Sequence, residues 1–190
     1  MILAAHWEFH QRLAKLGVLR SPLLMLGNQA VGPGLPQCGN AAAAFGILGV
    51  AEYRTLDLDG GDLRLDLNQD QRTLFRGFAT VFNLGTLEHC WDAHTAWANA
   101  LRAVREGGHF VTVSPIQGYA GHGIHLTDEA AIRSFVLANG FELVEEWNTV
   151  EPRGVNLWLA ARKIRHTAEI AEFKKPIQAY VGGKKERITA

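Results

Sequence analysis

The chain has 190 residues with 19 basic and 19 acidic side chains, so it carries no net charge. That length supports one domain with a sizeable core. Two cysteines, Cys38 and Cys90, are too few for a disulfide framework, so we expect reduced thiols in a cytoplasmic protein. The longest apolar stretch, residues 41–51, is too short to span a bilayer, and the first 20 residues lack the order of a signal peptide. We therefore expect no membrane segment.

The charges are unevenly distributed along the chain. Residues 1–161 hold 11 basic against 16 acidic side chains, whereas residues 162–190 hold 8 against 3. This difference predicts a domain over residues 1–165 followed by a basic tail over residues 166–190. The tail interleaves glutamates with its basic residues and has few aromatic ones, which favours a solvated terminus over an arm that binds nucleic acid.

Hydrophobic patterning predicts helices and strands in alternation. Helices are predicted over residues 1–19, 40–50, 92–107 and 127–139. Strands are predicted over residues 22–26, 53–58, 63–67, 78–84, 109–114, 141–150 and 155–164. The last two strands are joined by the tetrapeptide EPRG, which is too short for a parallel crossover, so they should pair antiparallel. The class is therefore α/β, with a mostly parallel sheet and an antiparallel edge.

Several residues predict where these elements begin and end. Asn40, Asp92 and Thr127 are expected to cap the starts of three helices, because their side-chain oxygens can accept hydrogen bonds from free backbone N–H groups. Pro115 is expected to stop the fifth strand, since proline cannot donate to a strand ladder.

Ligands of an open α/β sheet bind at the carboxyl ends of the central strands. Four predicted strands end in residues that could face such a ligand: Gly27, Asn28 and Gln29; Asp57 and Leu58; Asp66 and Leu67; and Asn83, Leu84 and Gly85. A glycine allows a ligand to approach the backbone, and an acid such as Asp57 can accept hydrogen bonds from both hydroxyls of a ribose. The glycine-rich residues 27–39 match neither a P-loop nor G-x-G-x-x-G. The pattern favours a nucleoside without a phosphate chain.

Three segments, FATVFNLGTLEHCWD, AWANALRAVREGGHFVTVSP and GFELVEEW, resemble the second half of a class I S-adenosylmethionine-dependent methyltransferase. The resemblance covers roughly residues 22–164. It implies a Rossmann-like, seven-stranded, mostly parallel sheet of order 3-2-1-4-5-7-6, with the last pair antiparallel and helices on both faces. It also implies S-adenosylmethionine as the cofactor.

The resemblance further implies a role for each candidate residue. The loop of Gly27, Asn28 and Gln29 would contact the methionyl part of the cofactor, and Asp57 with Leu58 would contact its ribose. The adenine edge would lie against Asp66 and Leu67, and the sulfonium above Asn83, Leu84 and Gly85. Met25 stands where the family has an acidic residue. Gln29 or backbone carbonyls would then accept hydrogen bonds from the cofactor's ammonium group.

Three histidines are candidate catalytic residues. His89 follows the fourth strand, where the family holds the methyl group, and His122 and His125 lie between the fifth strand and the next helix. Histidine is the side chain best suited to proton transfer at neutral pH. An alternative is that these are hydrogen-bonded loop histidines without a catalytic role. His122 and His125 lack a third ligand at a metal-binding spacing, so we expect no metal site.

Together these features predict a methyltransferase that acts on a small-molecule acceptor. The chain has no room for a separate substrate domain, so the acceptor site is either shallow or completed by a second copy in a homo-oligomer. One alternative is a methyltransferase-like binding module without catalytic activity. Another is a nucleic-acid methyltransferase that uses the basic tail, although the sequence lacks the Asn-Pro-Pro-aromatic signature of enzymes that methylate amino groups of DNA.

Overall fold

A computed structural model describes residues 2, 6–35, 38–71, 76–119, 121–167 and 169–171, and the backbone of residues 178–181 and 184–187. The start of the predicted first helix and parts of the basic tail lie outside these residues. The helices are α1 (Trp7–Lys15), α2 (Ala41–Ile47), α3 (Ala93–Ala103) and α4 (Glu129–Ala138), with a 3₁₀ helix at Leu87–His89. None of the described helices has the length and apolar character needed to cross a membrane.

In the described part of the chain, ten strands form two sheets. The strands are β1 (Leu23–Leu26), β2 (Tyr53–Asp57), β3 (Leu63–Arg64), β4 (Phe78–Leu84), β5 (Val104–Gly118), β6 (His125–Leu126), β7 (Phe141–Glu151), β8 (Gly154–Lys163), β9 (Gln178–Val181) and β10 (Lys184–Arg187). The main sheet has the order β3-β2-β1-β4-β5-β8-β7. Its first four contacts are parallel, and the pairs β5–β8 and β8–β7 are antiparallel. Since β7 and β8 are the sixth and seventh predicted strands, the predicted order is confirmed.

Helices cover both faces of the main sheet, as predicted. Alternate residues of β1 point to opposite faces: Leu24 and Leu26 join one core cluster, and Leu23 and Met25 join the other. The first cluster includes the apolar sides of α3 and α4, and the second includes those of α1 and α2. All four side chains of β1 are buried, which explains why this strand is apolar throughout.

The second sheet is antiparallel and has the order β10-β9-β6. In it, His125 of β6 pairs with Ala179 of β9. Two segments of the predicted tail thus form strands, and one of them pairs with the loop that follows β5. The domain boundary at residue 165 stays a prediction.

Several predicted element ends are wrong. β3 stops at Arg64, so Asp66 and Leu67 lie in the loop after the strand, and α1 ends at Lys15. β5 continues past Pro115 to Gly118, and its pairing with β8 shifts between Pro115 and Gln117, which accommodates the proline's missing N–H. Asp128, not Thr127, caps α4, and its Oδ1 accepts a hydrogen bond from the Ala131 N–H at 3.1 Å. The helix α3 ends at Ala103, where the buried ammonium of Lys163 donates to carbonyl groups at the helix end. The predicted caps Asn40 and Asp92 are confirmed.

Candidate cofactor and acceptor site

The loop after β1 is held tightly against the loop after β4. Gly27 has φ +81°, and a Cβ at this position would lie 2.6 Å from Oγ1 of Thr86 and 2.9 Å from Nε2 of Gln29. The Thr86 hydroxyl donates a hydrogen bond to the Leu26 carbonyl at 2.8 Å. Only glycine fits this conformation and this space, so the close contact between the two loops requires a glycine at position 27.

Asp57 lies at the end of β2, beside the β1 loop. Its Oδ2 accepts a hydrogen bond from the Asn28 N–H at 2.7 Å, and its Oδ1 accepts one from the Asp59 N–H at 3.2 Å. The Asn28 side chain donates to the Gly60 carbonyl at 3.0 Å, which fixes the two loops to each other. A carboxylate oxygen can accept two hydrogen bonds, so each oxygen of Asp57 retains capacity for a ligand hydroxyl.

Asp66 and Leu67 lie on the far side of the same cavity. Oδ1 of Asp66 accepts hydrogen bonds from the N–H of Asn68 at 2.9 Å and from its side-chain amide at 2.8 Å. Leu67 is buried and supplies an apolar surface. The cavity brings together five of the predicted cofactor residues and one predicted catalytic residue: Gly27, Asp57, Leu58, Asp66, Leu67 and His89.

Asn83 is buried beneath the turn after β4 and stabilises it. Its side-chain amide donates to Oγ1 of Thr112 at 2.9 Å, and its Oδ1 accepts from the N–H groups of Thr86 at 3.0 Å and Leu87 at 3.1 Å. The amide is therefore committed to holding the turn that presents Leu84 and Gly85. Both of these residues line a second cavity, at the ends of β4, β5 and β8.

Glu88 and His122 line this second cavity, while His89 lines the first. The two cavities therefore meet at the 3₁₀ helix that carries Glu88 and His89. Burial raises the pKa of Glu88 to about 7, and within the described residues its Oε2 has no hydrogen-bond partner. The rings of His89 and His122 have centroids 5.0 Å apart, and Nε2 of His122 lies 3.9 Å from Oε1 of Glu88. Burial and the neighbouring His122 lower the pKa of His89.

His125 lies apart from this group. Its ring is buried, and its Nε2 lies 3.1 Å from the Trp91 carbonyl oxygen. It is not among the residues that line either cavity. The structure thus joins His89 and His122, and it separates His125 from both.

A second polar cluster, which the sequence did not reveal, also lines the second cavity. The Glu151 carboxylate accepts hydrogen bonds from the Tyr119 hydroxyl at 2.9 Å, the Asn156 amide at 2.9 Å and Nε2 of His6 at 3.0 Å. Partial burial opposes the charge on Glu151, but these hydrogen bonds prevail and hold its pKa below the usual value. His6 and Tyr119 are far in sequence from Glu151 and Asn156, and the four residues share no motif, so no spacing could have predicted the cluster.

Comparison with known proteins supports the fold. No family model matches the chain, and neither does any curated protein. A putative methyltransferase from Bacillus halodurans C-125 matches with a TM-score of 0.59 and 14% identity, over 85% of this chain and 100% of that one. The N-methyltransferase NodS from Bradyrhizobium japonicum WM9, in complex with S-adenosylhomocysteine, matches with a TM-score of 0.55 and 16% identity, over 83% of this chain and 87% of that one.

A third solved structure is the 1,6-didemethyltoxoflavin-N1-methyltransferase of Burkholderia thailandensis, with bound 1,6-didemethyltoxoflavin and S-adenosylhomocysteine. It matches with a TM-score of 0.54 and 13% identity, over 85% of this chain and 79% of that one. The chain therefore has the fold of class I S-adenosylmethionine-dependent methyltransferases.

Proposed function

We propose that this protein is an S-adenosylmethionine-dependent methyltransferase that acts on a small-molecule acceptor. The observation that carries the proposal is the cavity at the ends of β1 and β2. There Gly27 and the carboxylate of Asp57 line one cavity within a methyltransferase fold. Both Asp57 oxygens can accept further hydrogen bonds, which suits the two hydroxyls of a ribose.

The first cavity and the loop after β1 offer groups that match the ribose, the adenine and the ammonium of the cofactor. Asp57 would accept hydrogen bonds from the ribose, and Asp66 and Leu67 would contact the edge of the adenine. Buried Met25 offers no carboxylate to the cofactor's ammonium. The Gln29 side chain, which lies at the Gly27–Thr86 contact, is the group we assign to that role together with backbone carbonyls of the loop. When bound, S-adenosylmethionine supplies an electrophilic methyl group.

The second cavity is where we place the acceptor. Its apolar walls are formed by Leu84, Val113 and Pro115. The Glu151 cluster and Glu88 add polar groups that can orient a small molecule. Methyl transfer is an in-line displacement, so the main task of these residues is to hold the acceptor atom about 3–3.5 Å from the methyl carbon. An acceptor that loses a proton would do so at the group formed by Glu88, His89 and His122, which borders both cavities.

Calorimetric titration with S-adenosylhomocysteine tests the first part of the proposal. We expect binding in the micromolar range, with NAD as a control ligand that binds more weakly. The absence of heat and of a thermal shift in folded protein would contradict the enzyme and favour a binding module without activity. Metabolite pools incubated with the protein and S-adenosylmethionine, with release of S-adenosylhomocysteine as the readout, would then identify the acceptor.

A further inference from the structure

Glu88, His89 and His122 form a compact group at the junction of the two cavities. One possible ligand atom from each residue lies within 4.8 Å of the other two. Spacing along the chain pairs His122 with His125, whereas the fold brings His122 to Glu88 and His89. The contact that does so is a hydrogen bond of 2.7 Å from the Ile124 N–H to the Glu88 carbonyl.

A glycine, Gly123, allows the loop that carries His122 to lie close to Glu88. Gly123 has φ +73°, and a Cβ there would lie 3.0 Å from both the carbonyl oxygen and Cγ of Glu88. Any larger residue would push the loop, and His122 with it, away from the carboxylate. The fold thus holds a histidine beside a buried acid through a backbone contact that only glycine permits.

One oxygen of the buried Glu88 carboxylate, Oε2, lacks a hydrogen-bond partner among the described residues. Glu88 is only 6% exposed. Nε2 of His122 lies 3.9 Å from Oε1, which is beyond hydrogen-bonding distance. A buried carboxylate remains charged only where it is paired with a cation or coordinates a metal. The unpartnered oxygen therefore points to a cation that would complete the group.

We propose that Glu88, His89 and His122 bind a divalent transition metal ion of the zinc type, with one open position toward the acceptor cavity. Two imidazoles and one carboxylate with an open fourth position form a known type of catalytic zinc site. Ligand atoms around a tetrahedral zinc ion lie about 3.3 Å apart, given metal–ligand bonds of about 2.0–2.1 Å. The side chains of His89 and His122 are exposed at the cavity rim, so both can rotate to close this gap.

The role of such an ion rests on the proposed function, although its binding does not. An acceptor thiol or hydroxyl that binds at the open position would lose its proton to solvent, because the metal lowers the pKa of its ligands. The freed lone pair then forms the bond to the methyl carbon. The bond between that carbon and the sulfonium sulfur breaks, and its electron pair stays on sulfur. The substrate class is therefore a small molecule with a thiol or hydroxyl nucleophile.

Metal binding by the full chain, without an affinity tag and after treatment with a chelator, tests the inference. We expect calorimetry to show one Zn²⁺ per chain, and Co²⁺ to give the visible absorption of a tetrahedral site. Glu88→Gln and His122→Ala should each weaken Zn²⁺ binding by more than the roughly 10- to 100-fold loss seen when only a supporting partner of a ligand is removed. His166→Ala is the matched control, since this exposed histidine lies outside the group, and it should leave the affinity unchanged.

The inference would be overturned if Glu88→Gln and His122→Ala both bound Zn²⁺ with wild-type affinity, or if the wild type bound no Zn²⁺ in the micromolar range. His122→Ala removes an exposed side chain, so it keeps the test valid if Glu88→Gln fails to fold. Titration with S-adenosylhomocysteine separates the two proposals. A protein that binds Zn²⁺ at this group without binding S-adenosylhomocysteine would contradict the methyltransferase, and the reverse result would contradict only the metal site.

Discussion

Replacement of Asp57 by alanine is the sharpest test of the cofactor site. In the structure both carboxylate oxygens already accept a backbone hydrogen bond, from Asn28 at 2.7 Å and from Asp59 at 3.2 Å. Alanine would remove the acceptors for the ribose and also the anchor that holds the β1 loop beside β2. The fold should survive, because Asp57 lies at the sheet edge and outside both core clusters.

The expected loss of affinity follows from the bonds removed. Hydrogen bonds to a charged group contribute about 1.5–3 kcal/mol, so Asp57→Ala should weaken S-adenosylhomocysteine binding by roughly 10- to 150-fold. Asp57→Asn should weaken it as well, although asparagine is nearly the same size. Its amide nitrogen would face either the Asn28 N–H or the Asp59 N–H, so two donors would oppose each other.

Calorimetric titration of the wild type and the variants measures these differences. Asp59→Ala is the matched control, because Asp59 is exposed and pairs only with exposed Arg64, and its affinity should stay within about twofold of the wild type. If Asp59→Ala proves the sensitive variant and Asp57→Ala does not, the assignment of the ribose acid is wrong. Equal losses in both variants would indicate a general disturbance of the turn.

Four further substitutions test other parts of the structure. Gly27→Ala should lower the free energy of unfolding by about 1–3 kcal/mol and weaken cofactor binding. The new Cβ at position 27 would lie 2.6 Å from Oγ1 of Thr86. Gly39→Ala is the control: a Cβ at position 39 has open space around it, so neither the free energy of unfolding in urea nor the affinity for the cofactor should change. His10 is fully buried, and burial lowers its pKa to about 4, so between pH 6.5 and 4 the unfolded chain binds a proton that the folded chain excludes. The contribution of neutral His10 to the free energy of unfolding is complete above pH 6.5 and falls by about 3 kcal/mol as the pH drops to 4. In His10→Leu, the free energy measured by urea unfolding should therefore fall less between pH 6.5 and 4 than in the wild type. His122→Ala should reduce turnover by roughly 10²-fold or more with cofactor affinity within about twofold of the wild type. His125→Ala separates two roles: its burial against Trp91 predicts a loss of stability, and full turnover in the folded variant would remove it from the chemistry.

Local patterns in the sequence predict the alternation of helices and strands and the antiparallel edge of the main sheet, whereas the strand order is what the family resemblance implies. The uninterrupted apolar run of β1 predicts a strand buried on both faces, and the tetrapeptide between β7 and β8 permits only an antiparallel pair. Gly27 and Asp57 could also be identified as candidates, because each follows a predicted strand and the carboxyl ends of parallel strands meet at one edge. These signals are local, since each depends on a few consecutive residues.

The tertiary structure alone decided which groups meet at the acceptor cavity. Spacing favoured His122 with His125, but the hydrogen bond from Ile124 to the Glu88 carbonyl turns the loop so that His122 faces Glu88, while β6 buries His125. In the same way, Glu151 gains two of its three donors, His6 and Tyr119, from distant elements. β5 continues past Pro115 because β8 offers a partner with a shifted register. Such contacts depend on how distant segments pack, so they cannot be predicted from the local pattern of residues.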